Sequence, residues 1–204
     1  MLIILAILTT SNNLLNRSFT IMKKVFFITV FLLPLAVSAQ KLLKPNVDQI
    51  TNATTWSTSV EKLYLRGNYL TAQGESVTFQ LKKFSDTNAE VLVLSPQNLN
   101  LGVEISIARD QKAYLKFSDN SIITLTCATD DPGNSQYSKI DHNAIQTSSA
   151  SGYYYLSASD IEKLKTVSLV FLRIEDSAGN FDCNVKSKNA MTLKKAMVLI
   201  ENIK

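Results

Sequence analysis

The stretch Ala113-Tyr114-Leu115-Lys116-Phe117-Ser118-Asp119-Asn120-Ser121-Ile122-Ile123-Thr124-Leu125-Thr126-Cys127 decides the fold class. Ala113, Leu115 and Phe117 share one side of an extended chain, Ser118-Asp119-Asn120 supplies turn residues, and Ile123, Leu125 and Cys127 carry the apolar side back: a β-hairpin. Upstream, Val77, Phe79 and Leu81 alternate with polar neighbours, and Glu90 to Leu94 and Val103 to Ala108 are similar short runs, so strands are expected there too. Downstream, Asp130-Asp131-Pro132-Gly133-Asn134 breaks the pattern, and the polar, Ser/Thr/Asn-rich chain to about Ser151 reads as a long loop or an edge excursion. Tyr153 to Leu156 is a further strand. Ser157 with Asp160 has the spacing of a helix N-terminus, and the short helix it opens has Ile161 and Leu164 on its buried side. Val167 to Ile174 is apolar on both faces, as a central strand covered twice would be. Ser177-Ala178-Gly179-Asn180 turns it into Phe181 to Val185. A last helix from about Ala190 to Ile203 carries Leu193, Met197, Ile200 and Ile203 at helical spacing and can supply the second cover. The expected fold is α+β: a mainly antiparallel β-sheet system, sandwich or partly open barrel, with a short helix and a C-terminal helix packed on the sheet.

The chain has 204 residues, 46% of them hydrophobic, two cysteines, one histidine, one tryptophan and a net charge of +4. Charge and apolarity concentrate at the N-terminus. Met22-Lys23-Lys24 is a start residue with a positive flank, Val25 to Val37 is mostly apolar, and Val37-Ser38-Ala39 ends the run with small residues, the pattern of a secretory signal peptide. The run is too short for a membrane span, which needs about 20 apolar residues. Residues 22–39 are therefore expected to be a signal peptide cleaved after Ala39, with no membrane span left after cleavage. The absence of a cysteine at the junction argues against a lipid anchor. Residues 1–21 read as an over-extended N-terminus, with translation starting at Met22; an unusually long positive flank is the other reading. Residues 40–204 are then a single mature β-rich domain. Losing Arg17, Lys23 and Lys24 leaves 18 bases against 17 acids, a net of +1, so no acidic partner is implied.

The segments Tyr155-Leu156-Ser157-Ala158-Ser159-Asp160-Ile161-Glu162-Lys163-Leu164-Lys165, Leu172-Arg173-Ile174 and Gly179-Asn180-Phe181-Asp182 resemble the C-terminal part of uncharacterised small exported proteins of Bacteroidetes-type bacteria. The leader ending Ser38-Ala39-Gln40 is similar to theirs. The resemblance implies a periplasmic or secreted envelope protein and brings no catalytic residues with it.

Chemistry is sparse. The six glycines are isolated, so neither a dinucleotide fingerprint nor a phosphate loop can be assembled. His142 is the one imidazole, in Asp141-His142-Asn143, and reads as a surface residue of the polar segment. One histidine and two distant cysteines exclude a structural zinc site, and no metal or other cofactor is expected. Cys127 and Cys183 fall in register with inward residues. In an oxidising compartment they would form a disulfide closing a loop of about 56 residues, worth roughly 4 kcal/mol in the chain-entropy model; the other reading is two buried free thiols. Lys186, Lys188, Lys194 and Lys195 fit a solvated helix face, and the basic stripe that nucleic-acid binding needs is missing.

Two functional classes lead, with a purely structural subunit that self-associates through a large apolar patch as a third reading. Tyr153-Tyr154-Tyr155 must put at least one ring on the outer face of a strand, and with Trp56 these rings would mark the binding surface of a non-enzymatic envelope domain that takes a protein or glycan partner; ordinary edge-strand packing is the other reading of them. Alternatively, a carboxylate-dependent hydrolase of an envelope polymer needs only two acids across a cleft, with Asp130 and Asp131, or Glu175 and Asp176 near Asp182, as the local clusters. Turns favour aspartate on their own account, and neither cluster has the spacing of a calcium-binding loop. The two classes differ visibly: acids converging in a pocket against a grooved sheet face with exposed rings.

Overall fold

A computed structural model describes residues 40–68, 73–99, 103–140 and 143–203. The start and leader segments, 1–21 and 22–39, and His142 lie outside the described residues. Gln40–Lys204 forms one compact unit. Its elements are β1 (Asn46–Val47), β2 (Thr54–Ser57), β3 (Glu61–Asn68), β4 (Gln73–Phe84), β5 (Glu90–Asn98), β6 (Lys112–Phe117), β7 (Ile122–Thr126), β8 (Asn134–Ile140), β9 (Asn143–Ser149), β10 (Gly152–Tyr155), α1 (Ala158–Thr166), β11 (Leu169–Asp176), β12 (Gly179–Asn184) and α2 (Ser187–Glu201).

The fold is α+β and mostly antiparallel sheet. The larger, eight-stranded sheet runs β1-β2-β4-β5-β9-β8, with β3 also paired to β4 and β10 to β5. Strand β4 is long enough to hold two neighbours in succession: β3 pairs its first part and β2 its last. The smaller sheet runs β12-β11-β6-β7, and the hairpin that opens the sequence reading is its β6–β7 half, with Ala113 opposite Leu125 and Leu115 opposite Ile123. Asn120 takes φ +65° in the turn, a left-handed conformation that asparagine tolerates. The alternating residues of both sheets meet face to face: Val77, Phe79, Leu81, Leu92 and Leu94 from one, Ala113, Leu115, Phe117, Leu172 and Ile174 from the other, all nearly inaccessible. Each of these larger apolar side chains, Ala113 apart, contributes about 1.5–3 kcal/mol by leaving water. A bridge between Cys127 and Tyr154 ties the end of β7 to β10 of the larger sheet.

Helix α1 begins where the sequence places it. The Ser157 side chain accepts the Asp160 N–H and the Asp160 carboxylate accepts the Ser157 N–H, a reciprocal capping box. Leu164 is buried. Helix α2 buries Ala190, Leu193, Ala196, Met197 and Ile200.

Four expectations change. First, the supposed loop after Asn134 is the hairpin β8–β9, with β8 on the sheet edge. The described inward positions of β9 are polar: Gln146 and Ser148 are buried, and Ser148 Oγ accepts the Ile105 N–H at 2.8 Å. Apolar periodicity is silent when hydroxyls and amides fill the inner face. Gly133, at φ +80°, allows the entry: a Cβ there would sit 1.9 Å from the Ile105 carbonyl oxygen. Second, Val103 to Ala108 is no sheet strand. Ile105 and Ile107 are buried, but the segment makes only an isolated bridge, Ile107 with Asp131. Third, β11 is central but covered on one side. A bulge between Leu169 and Phe171 turns Leu169 inward and leaves Val170 exposed. Helix α2 packs against β3, β4 and β11 from the core side, so the face bearing Phe171, Arg173 and Glu175 stays open.

The fourth is the disulfide. Cys127 and Cys183 are both buried and both free. Cys183 aligns through Leu172 and Leu115 with Ile123, three strand spacings or about 14 Å away, and Cys127 lies further along again. A disulfide needs Cα atoms within about 7 Å. Cys127 Sγ donates instead to the Thr129 carbonyl at 3.2 Å.

Candidate functional site

The four aromatic residues singled out from sequence do not share a surface. Trp56 sits opposite Lys83 on the core-facing side of the larger sheet, packed against the core. Tyr153 and Tyr155 sit opposite Val93 and Val91, on the other face. There the Tyr153 ring lies 5.0 Å from Lys82 Nζ, a cation–π contact. Tyr154 between them is fully buried, and Gly152 leaves room for its ring: a Cβ at 152 would lie 2.6 Å from it. Tyr155 alone projects, 61% exposed, beside a shallow depression that reaches Arg109 and the start of α1.

The acid clusters are largely consumed by the backbone. Asp130 Oδ1 accepts the Arg109 N–H. The two oxygens of Asp131 accept the N–H groups of Gly133 and Ser151. Glu175 and Asp176 alternate along β11 and therefore face opposite ways. Glu175 accepts from the Tyr114 hydroxyl at 3.0 Å and the Lys112 N–H at 2.7 Å, whereas Asp176 turns inward, 7% exposed, and accepts the Ala178 N–H at 2.7 Å. Among the described residues, no three His, Cys, Asp or Glu side chains stand close enough to hold a metal ion.

Two concavities remain. The first is a groove of about 440 Å³ on the open face of the smaller sheet, lined by Tyr114, Ile122, Phe171, Arg173, Glu175 and Asn180. Strand pairing builds it, because Arg173 registers with both Tyr114 and Asp182. Arg173 is locked in a two-pronged pair with Asp182, Nε to Oδ1 at 2.7 Å and Nη2 to Oδ2 at 2.6 Å. That guanidinium holds the Asp182 carboxyl below its ordinary range, while the bond to Glu175 holds the Tyr114 phenol above its own. Two rings, an isoleucine 60% exposed and pre-positioned polar groups thus share one solvent-facing surface. Alternation puts Tyr114 on the side of β6 opposite Ala113, Leu115 and Phe117, but no sequence signal shows that this face stays open or that β11 lies beside it.

The second is a smaller cleft of about 270 Å³ between the two sheets. Arg66, Glu75 and Asn98 come from β3, β4 and β5, Asp176 from the end of β11, and Asn180 and Asp182 from β12. Burial pushes the Asp176 carboxyl up, against the pull of the turn N–H groups. Asn180 lines both concavities, so the two adjoin at β12.

Among the described residues no helix is long and apolar enough to cross a membrane. No family model, no curated protein and no solved structure matches the chain.

Proposed function

We propose that the chain is an exported, non-enzymatic domain of a bacterial cell envelope that binds a glycan partner on the open face of its smaller sheet. The observation that carries the reading is the groove in which Tyr114, Phe171 and Ile122 lie beside the fixed pairs Arg173–Asp182 and Tyr114–Glu175. Aromatic faces stack on the C–H faces of sugar rings, and held polar groups select hydroxyls. A protein partner would need a larger apolar centre, on the order of 800 Å² per side. Export rests on the leader pattern of residues 22–39 and on the resemblance to exported proteins of Bacteroidetes-type bacteria. The test is binding of the purified exported protein to solubilised envelope polysaccharide by calorimetry. Binding lost in Tyr114→Ala and Phe171→Ala supports the reading; unchanged binding in both, or capture of a protein alone, contradicts it.

A second reading, hydrolysis of such a polymer, is favoured by one observation: Glu75 and Asp176 line the same cleft, and burial raises the Asp176 carboxyl as a general acid requires. Its geometry counts against it, since Asp176 is tied to the turn backbone. Release of reducing ends from the polysaccharide, abolished by Asp176→Asn, is the result that would support hydrolysis.

A further inference from the structure

We infer that the cleft between the sheets is a subsite for the terminal sugar of a glycan chain whose following units lie along the groove. The inference deepens the proposed function and rests on its glycan partner. Four observations lead to it.

The lining is mixed in a way that suits hydroxyls. Arg66, Asn98 and Asn180 offer donors, and Glu75, Asp176 and Asp182 offer acceptors, whereas a hydroxyl is both at once. A bare cation is disfavoured by the Arg66 guanidinium in the wall and by Asp182, whose oxygens Arg173 already occupies. An anion is disfavoured by the three carboxylates. Ile105 and Phe181 back the cleft but are nearly inaccessible, so the surface that a ligand meets is mostly polar, as hydroxyls require.

Size comes next. A volume of about 270 Å³ corresponds to roughly nine waters at ~30 Å³ each, the scale of one ring rather than a chain.

The wall also contains an unused polar group. Asn98 is 8% exposed, and its Oδ1 has no hydrogen-bond partner. Native structures leave few such atoms unpaired; the oxygen is closed off from solvent, so a ligand hydroxyl meets this acceptor only when the Asn98 side chain turns toward the cleft. Asp176 beside it is equally buried and already oriented by the Ala178 N–H, so its carboxylate is set before a ligand arrives.

Finally, the two concavities adjoin. Asn180 belongs to both, and the Arg173–Asp182 pair joins one to the other. A chain end seated in the cleft therefore leads directly onto the face of Tyr114 and Phe171.

The experiment is calorimetric titration of the purified exported protein with glucose, mannose, galactose and N-acetylglucosamine, with a linear trimer of each, and with calcium chloride. The variants are Asn98→Leu and Asp176→Asn in the cleft and Phe171→Ala in the groove, each checked for an unaltered circular dichroism spectrum. The expected result is that at least one trimer binds without being cleaved and weakens about tenfold or more in each cleft variant, the loss typical of a hydrogen bond to a charged or buried group. A trimer sensitive to Phe171→Ala but indifferent to both cleft variants overturns the subsite and leaves the groove reading standing. Calcium binding lost in Asp176→Asn, with no sugar bound there, overturns the subsite as well. Cleavage of the trimer replaces it with the hydrolase reading, and absence of sugar binding of any kind overturns both the subsite and the glycan partner.

Discussion

Replacing Tyr154 by phenylalanine should stabilise the protein. The side chain is fully buried, opposite Leu92 in the sheet and bridged through its backbone to Cys127. Its hydroxyl oxygen has no hydrogen-bond partner, and burial, with smaller contributions from Cys127 and Glu175, pushes the phenol above its ordinary range. A buried hydroxyl without a partner costs about 1–3 kcal/mol by comparison with mutational series. Removing it leaves a void of about 15 Å³, worth only about 0.4 kcal/mol at ~24 cal/mol per Å³. The net expectation is a gain of about 1–2 kcal/mol, which for a chain of this size is about 2–8 °C in Tm. Urea unfolding of wild type and Tyr154→Phe side by side measures it: the midpoint should rise at constant slope. Tyr154→Ala should cost about 3–5 kcal/mol as an aromatic truncated in the core, and Gly152→Ala should destabilise by about 1–3 kcal/mol through the clash of its Cβ with the ring. A midpoint lowered in Tyr154→Phe would mean that the hydroxyl has a partner, refuting the reasoning.

Ser157→Ala should cost about 1 kcal/mol by removing the capping box of α1, seen as a lower urea midpoint, with Ser157→Asp close to wild type. Thiol titration should find no reactive group in the folded protein and two after denaturation without reductant, since both cysteines are free and buried and burial pushes the Cys183 thiol up; no free thiol in the denatured chain would restore the disulfide. Burial also raises the Glu90 carboxyl above its ordinary 4.5, with Lys83 opposing. Its folded pKa then exceeds its unfolded one, so its charge costs stability above the folded pKa, and that cost is relieved as pH falls toward 4.5. Unfolding free energy measured across mildly acidic pH should therefore show a component that vanishes in Glu90→Gln. Asp119 and Asp182, lowered by Lys163 and Arg173 respectively, carry the opposite sign: their stabilisation is full above 3.8 and is lost as pH falls through their folded values.

The sequence was legible where apolar alternation and local turn chemistry act together. The β6–β7 hairpin, the alternation of β4, the Ser157–Asp160 start of α1 and the buried stripe of α2 all follow from spacing alone. It was silent where the inner face is polar, as at Gln146 and Ser148. A bulge also misled it, because one extra residue in β11 exchanges the inward roles of Leu169 and Val170. The site was less legible than the fold. Counting rings pointed to Tyr153, Tyr154 and Tyr155, but consecutive strand residues alternate faces, and one of the three is necessarily separated from its neighbours. The groove depends instead on which strands lie side by side: Tyr114, Arg173 and Asp182 are brought into one row by the β6-β11-β12 order, which no local pattern encodes. The cleft draws on both sheets and was invisible for the same reason.

The claim that the open sheet face binds a glycan is tested most directly by nuclear magnetic resonance. The purified protein, labelled with ¹⁵N, is titrated with solubilised envelope polysaccharide, and the backbone amide shifts are followed. The account predicts perturbations centred on Tyr114, Lys116, Phe171 and Arg173 that extend over Asn180 to Asp176. Perturbations confined to the surroundings of Tyr153 and Tyr155, or a spectrum unchanged at saturating polysaccharide, would contradict it.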